Sequence, residues 1–283
     1  MLPFKKRKQE IGGTTEMIKN SNQTLSIIIP VYNEAGNIDL LLERIEKTLI
    51  GIVYEVIFVD DSTDETPKMI MRAAEERSVK IRLEHRENKK GLATAVVRGF
   101  EIASGDIFAV MDADLQHPPE ILLPMYCAMI NDADVCIPSR FISGGGDGGL
   151  NYWRKLVSFI ARFLGKITIY NLRHISDITS GIFMIKRSIL NKEALNPIGW
   201  KICVEIMAVS VFSKIIQIPY VFNQRNDGES KLSFFVSIQY IKQLFNLIPR
   251  MVKNKNIQVE TWSLEKIKDE IEKYKYQREN FKC

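Results

Sequence analysis

Residues 25–34 read LSIIIPVYNE. The run Leu25-Ser26-Ile27-Ile28-Ile29-Pro30 is uncharged and rich in β-branched residues, the pattern of a strand buried on both faces. Directly after it come Tyr32, Asn33 and Glu34, and then Ile38, Leu41, Leu42, Ile45 and Leu49 at helical spacing. Strand, polar turn and helix then recur. A strand over 54–59 ends in Asp60-Asp61, and Thr66-Pro67 opens a helix with a hydroxyl cap and proline in the first turn. A short strand is expected near 79–83, a helix over about 92–103, and a strand over 107–111 that ends in Asp112-Ala113-Asp114. Pro118-Pro119-Glu120 starts another helix and 135–138 another strand. This alternation predicts an α/β fold, Rossmann-like, with a mostly parallel sheet and helices on both faces. Ligands of such sheets sit beyond the carboxyl ends of the strands. Three of those ends carry acidic or polar clusters here.

Past Phe141 the character changes. Residues 143–149, SGGGDGG, form a flexible loop, and 152–170 are amphipathic. In that segment Leu156, Phe159, Ile160, Phe163, Leu164 and Ile167 oppose Lys155, Arg162 and Lys166. A short helix carrying Glu205 follows Gly199, and 215–221 is expected to be the last strand. A second apolar helix, 234–248, sets Phe234, Ile238, Ile241, Phe245 and Ile248 against Gln239, Lys242, Gln243 and Asn246. Leu264, Ile267, Ile271 and Tyr274 recur at helical spacing in a charged carboxyl-terminal tail. The division expected is a polar tail (1–24), a core domain (25–233, including the loop and amphipathic helix of 143–172), and an amphipathic helix with a charged tail (234–283).

The chain has 283 residues, 46% hydrophobic and 26% charged, with a net charge of +5. That is an ordinary globular composition whose mild charge does not call for a nucleic-acid partner. Four dispersed cysteines without a CxxC pair argue against a zinc site or disulfide framework and fit a reducing compartment. The basic start lacks the apolar run of a signal peptide. The two most apolar segments carry Arg162, Lys166 and Lys242, so no membrane span is expected. The glycines of 144–149 lack GxGxxG after a strand, which argues against a dehydrogenase.

Asp112 and Asp114 place two carboxylates at one strand end, hard oxygen ligands suited to Mg²⁺ or Mn²⁺. Alone, DxD is a weak signal that a solvated turn also explains. Its neighbours give it meaning. SIIIPVYNE (26–34), VDDSTDET (59–66), GLATAVVRG (91–99), MDADLQHPPE (111–120), SRF (139–141), TSG (179–181), GWKICVE (199–205) and GESKL (228–232) occur in that order. The set, over residues 25–233, resembles family 2 glycosyltransferases of the GT-A fold, specifically those that mannosylate dolichol phosphate.

The resemblance implies roles for individual residues. Pro30, Tyr32 and Glu34 would line a nucleoside pocket, with Glu34 and Asp60 accepting hydrogen bonds from ribose or base. Asp112, Asp114 and Gln116 would hold the metal and diphosphate. Arg225, Ser230 and Lys231 would close over the diphosphate, and Lys231 would neutralise it. Arg140 and Arg154 would receive the acceptor phosphate. Arg154 also sits on an amphipathic helix, where a lipid-facing arginine is the rival assignment, and Gln116 also suits a helix cap. His117 is expected in a turn.

The QxxRW motif of polysaccharide-extending family members is absent; Trp153-Arg154 lacks the glutamine. An alcohol acceptor needs a general base, whereas a phosphomonoester, with a second pKa of about 6, is already mostly a dianion at neutral pH. Arginines without a dedicated base therefore fit a polyprenyl or dolichyl phosphate acceptor. The implied reaction is inverting transfer of mannose from GDP-mannose, with UDP-glucose or a UDP-N-acetylhexosamine as alternative donors. An inactive lipid-surface module is the alternative of another class. The expected location is peripheral, on the cytoplasmic face of a membrane, with the amphipathic helices against lipid or against an integral-membrane partner subunit.

Overall fold

The computed structural model describes residues 23–87, 91–149, 152–223 and 234–280, without the side chains of 152–154 and 234–237. Its centre is β1 (Leu25–Val31), all seven residues of which are buried. β1 pairs in parallel with β2 (Tyr54–Asp60) and with β4 (Ile107–Val110), and β3 (Lys80–His85) extends the sheet beyond β2. The apolar run of β1 sorts by strand alternation: Leu25, Ile27, Ile29 and Val31 join one core cluster, and Ile28 joins the other.

The first face is covered by α1 (Ile38–Thr48), α2 (Thr66–Glu76), α4 (Leu122–Ile130) and α8 (Leu264–Asn280). The second is covered by α3 (Leu92–Ile102), α5 (Tyr152–Thr168), α6 (Ile202–Val209) and α7 (Phe234–Leu247). α1 shows how the layers are held. Its Ile38, Leu41, Leu42 and Ile45 are fully buried, each worth about 1.5–3 kcal/mol over exposure.

The other half of the sheet departs from a simple parallel alternation. β6 (Phe183–Lys186) runs antiparallel between β4 and β5 (Val135–Ser139). β7 (Lys214–Pro219) and β8 (Gln258–Thr261) then continue parallel to β5, giving the order β3-β2-β1-β4-β6-β5-β7-β8. The strand over 214–219 is therefore not the last, and the sheet runs on past residue 233. Nor is the carboxyl-terminal helix a loose tail, because Ile267 and Tyr274 are buried and Tyr274 packs edge-on against Tyr126 at 5.7 Å. Cys127, Cys136 and Cys203 are buried free thiols; burial pushes Cys127 and Cys203 up to about 12, leaving them inert.

Candidate active site

The carboxyl ends of β1, β2 and β4 lie side by side, and the polar clusters that follow β1 and β2 lock together. Asn33 takes a left-handed backbone (φ 58°). Its N–H donates to Ser62 Oγ (2.7 Å), and its side-chain oxygen accepts from Thr63 N–H (2.9 Å). Glu34 N–H donates to Thr66 Oγ1 (2.9 Å), and the Glu34 carboxylate accepts from Asn37 Nδ2 (2.7 Å). Thr66 is thus not the cap of its helix: Asp64 accepts both the Thr66 N–H (3.0 Å) and its hydroxyl (2.6 Å), leaving the threonine to tie α2 to β1. Pro30 is buried, Glu34 half-buried and Tyr32 exposed at this rim.

Asp60, expected to contact the nucleoside, is held by its neighbours. It is fully buried, accepts from Ser62 N–H (3.1 Å), and bonds His85 Nδ1 (2.5 Å). Asp61 likewise accepts two bonds from Arg86 (2.8 and 2.6 Å) and one from Gly91 N–H (2.9 Å). Both aspartates fix the β2 turn and the start of α3.

At the end of β4, Asp112 and Asp114 are half-buried. Asp114 accepts the Gln116 N–H (3.1 Å), and the intervening Leu115 is held left-handed (φ 60°), at a cost of about 1 kcal/mol. Gln116 also pairs through its backbone carbonyl with Asn223 N–H (2.9 Å), beyond β7. His117 sits in the bend after β4, as expected, but it is buried there. It is 4% exposed, stacked on Tyr220 (5.5 Å) and edge-on to Phe222 (5.2 Å), with Nε2 3.7 Å from Asp112. Burial, aided by the Arg140 charge, lowers its pKa to about 3, so the imidazole is neutral and a very weak base. Gly181 completes this corner: a Cβ there would lie 2.7 Å from Asp112 Oδ2 and 3.0 Å from His117 Nε2.

Beyond β5, Arg140 is clamped by the buried Asp177, with Nε to Oδ2 at 2.7 Å and Nη2 to Oδ1 at 3.0 Å. Burial works against the guanidinium charge, but the paired carboxylate outweighs it and raises the pKa of Arg140. Arg154 lies in the first turn of α5, its side chain outside the description; Arg225, Ser230 and Lys231 lie outside the described residues. Three residues not expected from sequence stand here as well: Asp177, Lys201 and Arg162. The isolated acid of ISDITSGIF (175–183) was the signal available for Asp177.

The model of glycosyl transferase family 2 matches residues 26–193. The chain belongs to that family. It is 40% identical over 226 residues to the dolichol-phosphate mannosyltransferase of Pyrococcus furiosus, covering 79% of this chain and 63% of that protein. The chain thus spans less than two thirds of that relative's length. With the dolichol-phosphate mannosyltransferase of Saccharomyces cerevisiae it shares 34% identity over 78% of this chain and 86% of that one. Among solved structures it is similar to glucosyl-3-phosphoglycerate synthase of Mycobacterium tuberculosis in complex with Mn²⁺, UDP-glucose and phosphoglyceric acid. That likeness has TM-score 0.60, 20% identity and 84% coverage of each chain. The same synthase has also been solved with Mg²⁺ and UDP. The mixed sheet with its acidic strand ends is a GT-A glycosyltransferase fold.

Proposed function

We propose that this protein transfers mannose from GDP-mannose to the phosphate of a polyprenyl or dolichyl lipid, inverting the anomeric carbon. The observation that carries this is the pairing of a two-carboxylate strand end, Asp112 and Asp114, with a carboxylate-anchored arginine, Arg140, across a neutral His117. The names of the two mannosyltransferase relatives point the same way.

The residues fit a divalent cation. Asp112 and Asp114 offer hard oxygen donors, and among the described residues no group of three or more His, Cys, Asp or Glu gathers to cage a metal. Water and a substrate diphosphate would fill the remaining positions, which suits Mg²⁺ or Mn²⁺. Gln116, whose Nε2 donates to Asn223 O (3.4 Å), would contribute its amide oxygen. Bound there, the cation would supply charge neutralisation for the departing diphosphate. Ser230, Lys231 and Arg225 are proposed to close over that diphosphate, and Tyr32 and Glu34 to border the nucleoside.

His117 is too weak a base to take an alcohol proton at neutral pH. An acceptor that arrives already ionised, as a phosphomonoester does, fits such a site. Arg140, fixed by Asp177, orients that anion for in-line attack on the anomeric carbon, with Arg154 as its proposed partner. Two anions must approach each other here, so cations held in place before they arrive lower the barrier without reorganising.

A lipid acceptor requires contact with a membrane. No described helix is long and apolar enough to cross one. α5 exposes Phe159, Phe163 and Ile167, and α7 exposes Ile238, Ile241 and Phe245. These faces are proposed to rest on the cytosolic headgroup layer. Incubation with GDP-mannose, UDP-glucose and UDP-N-acetylglucosamine, each with a polyprenyl phosphate, tests the reaction. GDP-mannose should give a mannosyl lipid, and Asp112→Asn should abolish it while the protein stays folded. Turnover of a UDP-sugar alone would replace the donor, and turnover of none would favour a binding module.

A further inference from the structure

Three cationic heads converge on one buried carboxylate. Asp177 is fully buried and its two oxygens are taken by Arg140. Arg162, on α5, comes to the same segment: its Nη1 donates to the Ser176 carbonyl at 3.4 Å, and its guanidinium lies 3.5 Å over the Phe141 ring. Lys201, at the start of α6, donates to the Thr179 carbonyl at 3.0 Å. Ser176 and Thr179 flank Asp177, and Gly181 just beyond touches Asp112. The sequence pattern had put Arg162 on a solvated helix face; it is half-buried and turned inward.

Neither Arg162 nor Lys201 has a carboxylate at ion-pair distance among the described residues, and the single charge of Asp177 is spent on Arg140. With Asp112 counted, whose charge also acts on Lys201, the corner still holds about one positive charge in excess. Desolvating such charges without a counter-ion is unfavourable, and the fold nonetheless holds them in place. Gln243 on α7 donates to the Lys201 carbonyl (3.2 Å) and to Glu205 (3.1 Å), and Glu205 in turn accepts from Arg250 (3.3 Å). The backbone of Lys201 is thus braced by the helix that also exposes Ile241 and Phe245.

Resting on the mannosyl-lipid reading above, we propose that Arg162 and Lys201 are ligands of the acceptor phosphate, completing with Arg140 a site for a dianion. The acceptor fits better than the donor diphosphate because Arg162 lies on a helix with an exposed apolar face and the backbone of Lys201 is braced by another, where a lipid arrives. The donor diphosphate has the Asp112 and Asp114 corner and its cation. Burial first, then the Arg140 charge, lowers the pKa of Lys201; burial likewise lowers that of Arg162. A bound dianion relieves both effects. If their only role were to satisfy the two carbonyls, no charge would be needed.

The test compares wild type, Lys201→Met, Arg162→Gln, Lys201→Arg and Arg162→Lys. It uses steady-state transfer to a short prenyl phosphate and calorimetric titration with that phosphate and, separately, with GDP. Each neutral variant should raise the acceptor KM and the prenyl-phosphate Kd by about tenfold, the scale of one charge-assisted contact. GDP affinity should stay within about twofold, and the charge-keeping variants should recover part of the loss. An unchanged acceptor KM in a folded neutral variant overturns the proposal. So does a loss of GDP affinity at constant acceptor KM, which would move the cations to the donor. If a neutral variant fails to fold, its charge-keeping counterpart decides: a weakened prenyl-phosphate Kd at unchanged GDP affinity and intact melting temperature supports the proposal, because Arg and Lys are not interchangeable at a phosphate, and an unchanged Kd overturns it. If wild type transfers no sugar at all, the functional reading fails by itself, and the prenyl-phosphate titrations still decide the site.

Discussion

Gly181→Ala adds a single methyl group where the structure has no room for it. The new Cβ would sit 2.7 Å from Asp112 Oδ2 and 3.0 Å from His117 Nε2. Gly181 does not occupy the left-handed region, so alanine brings no backbone strain and the variant isolates the contact. His117 is held between Tyr220 and Phe222 and has little freedom to retreat. The Asp112 carboxylate must give way instead, by roughly 0.8 Å to regain ordinary van der Waals separation. Overpacking of this kind costs about 1–2 kcal/mol, a fall in Tm of roughly 2–8 °C in a chain of this size. The catalytic loss should be larger, because a shift approaching 1 Å at a reacting centre costs on the order of 10²-fold. The assay pairs kcat for mannosyl transfer with thermal melting and with GDP affinity measured in the presence of Mg²⁺. The expected result is a loss of about 30- to 100-fold in kcat in a folded protein, at a temperature well below its Tm. Turnover within about twofold of wild type would show that the position of Asp112 does not control the reaction.

Other outcomes follow from the same contacts. Asp177→Asn leaves Arg140 buried without its counter-charge and should cost about 3 kcal/mol, read by urea unfolding; a change below about 0.5 kcal/mol would refute the buried-pair assignment. Glu55 is 4% exposed, and burial works to raise its pKa. The bonds from Ser104 N–H (2.7 Å) and Ser26 (2.8 Å) and the Lys80 charge outweigh that and hold it at about 2. Its folded pKa is depressed from 4.5, so its contribution is complete above pH 4.5 and disappears as pH falls towards 2. Glu55→Gln should therefore lose on the order of 2 kcal/mol at neutral pH, after allowance for the exposed Lys80, and converge on wild type in acid; parallel pH–stability curves would contradict this. Phe245 is 70% exposed on α7, and Phe245→Asp should weaken flotation with anionic liposomes while leaving the melting temperature unchanged. Equal flotation would mean that this face does not meet lipid.

The sequence made half of this fold plain and left the other half obscure, for identifiable reasons. β1, β2 and β4 are apolar runs that end in acid, and a strand buried on both faces announces itself that way. β6 is four residues long and antiparallel, and nothing local distinguishes it from a loop that turns inward. β8, Gln-Val-Glu-Thr, is an edge strand with a single apolar residue, so it reads as part of a charged tail. At the site, the Asp112 and Asp114 pair and Arg140 were legible as motifs, whereas the burial of Asp60 was not. A carboxylate at a strand end looks the same in sequence whether it faces a ligand or a neighbouring histidine. The helix spacing of α5 and α7 was likewise right, but it put Arg162 and Gln243 on the water side. Gln243 is 1% exposed, because a neighbouring element, here α6 with Glu205, can take up a polar face as readily as solvent can.

The central claim is that the nucleophile is a lipid phosphate, with no base needed to activate it. The most direct measurement supplies labelled GDP-mannose and Mg²⁺ with either a polyprenyl monophosphate or the polyprenol lacking that phosphate, and follows label into the organic phase. The account predicts a mannosyl phospholipid from the monophosphate alone. Its rate should rise as the phosphate loses its second proton near pH 6, with a pKa of about 6. Comparable transfer to the polyprenol would contradict it, because a neutral alcohol would then be reacting at a site whose nearest imidazole is held at a pKa of about 3.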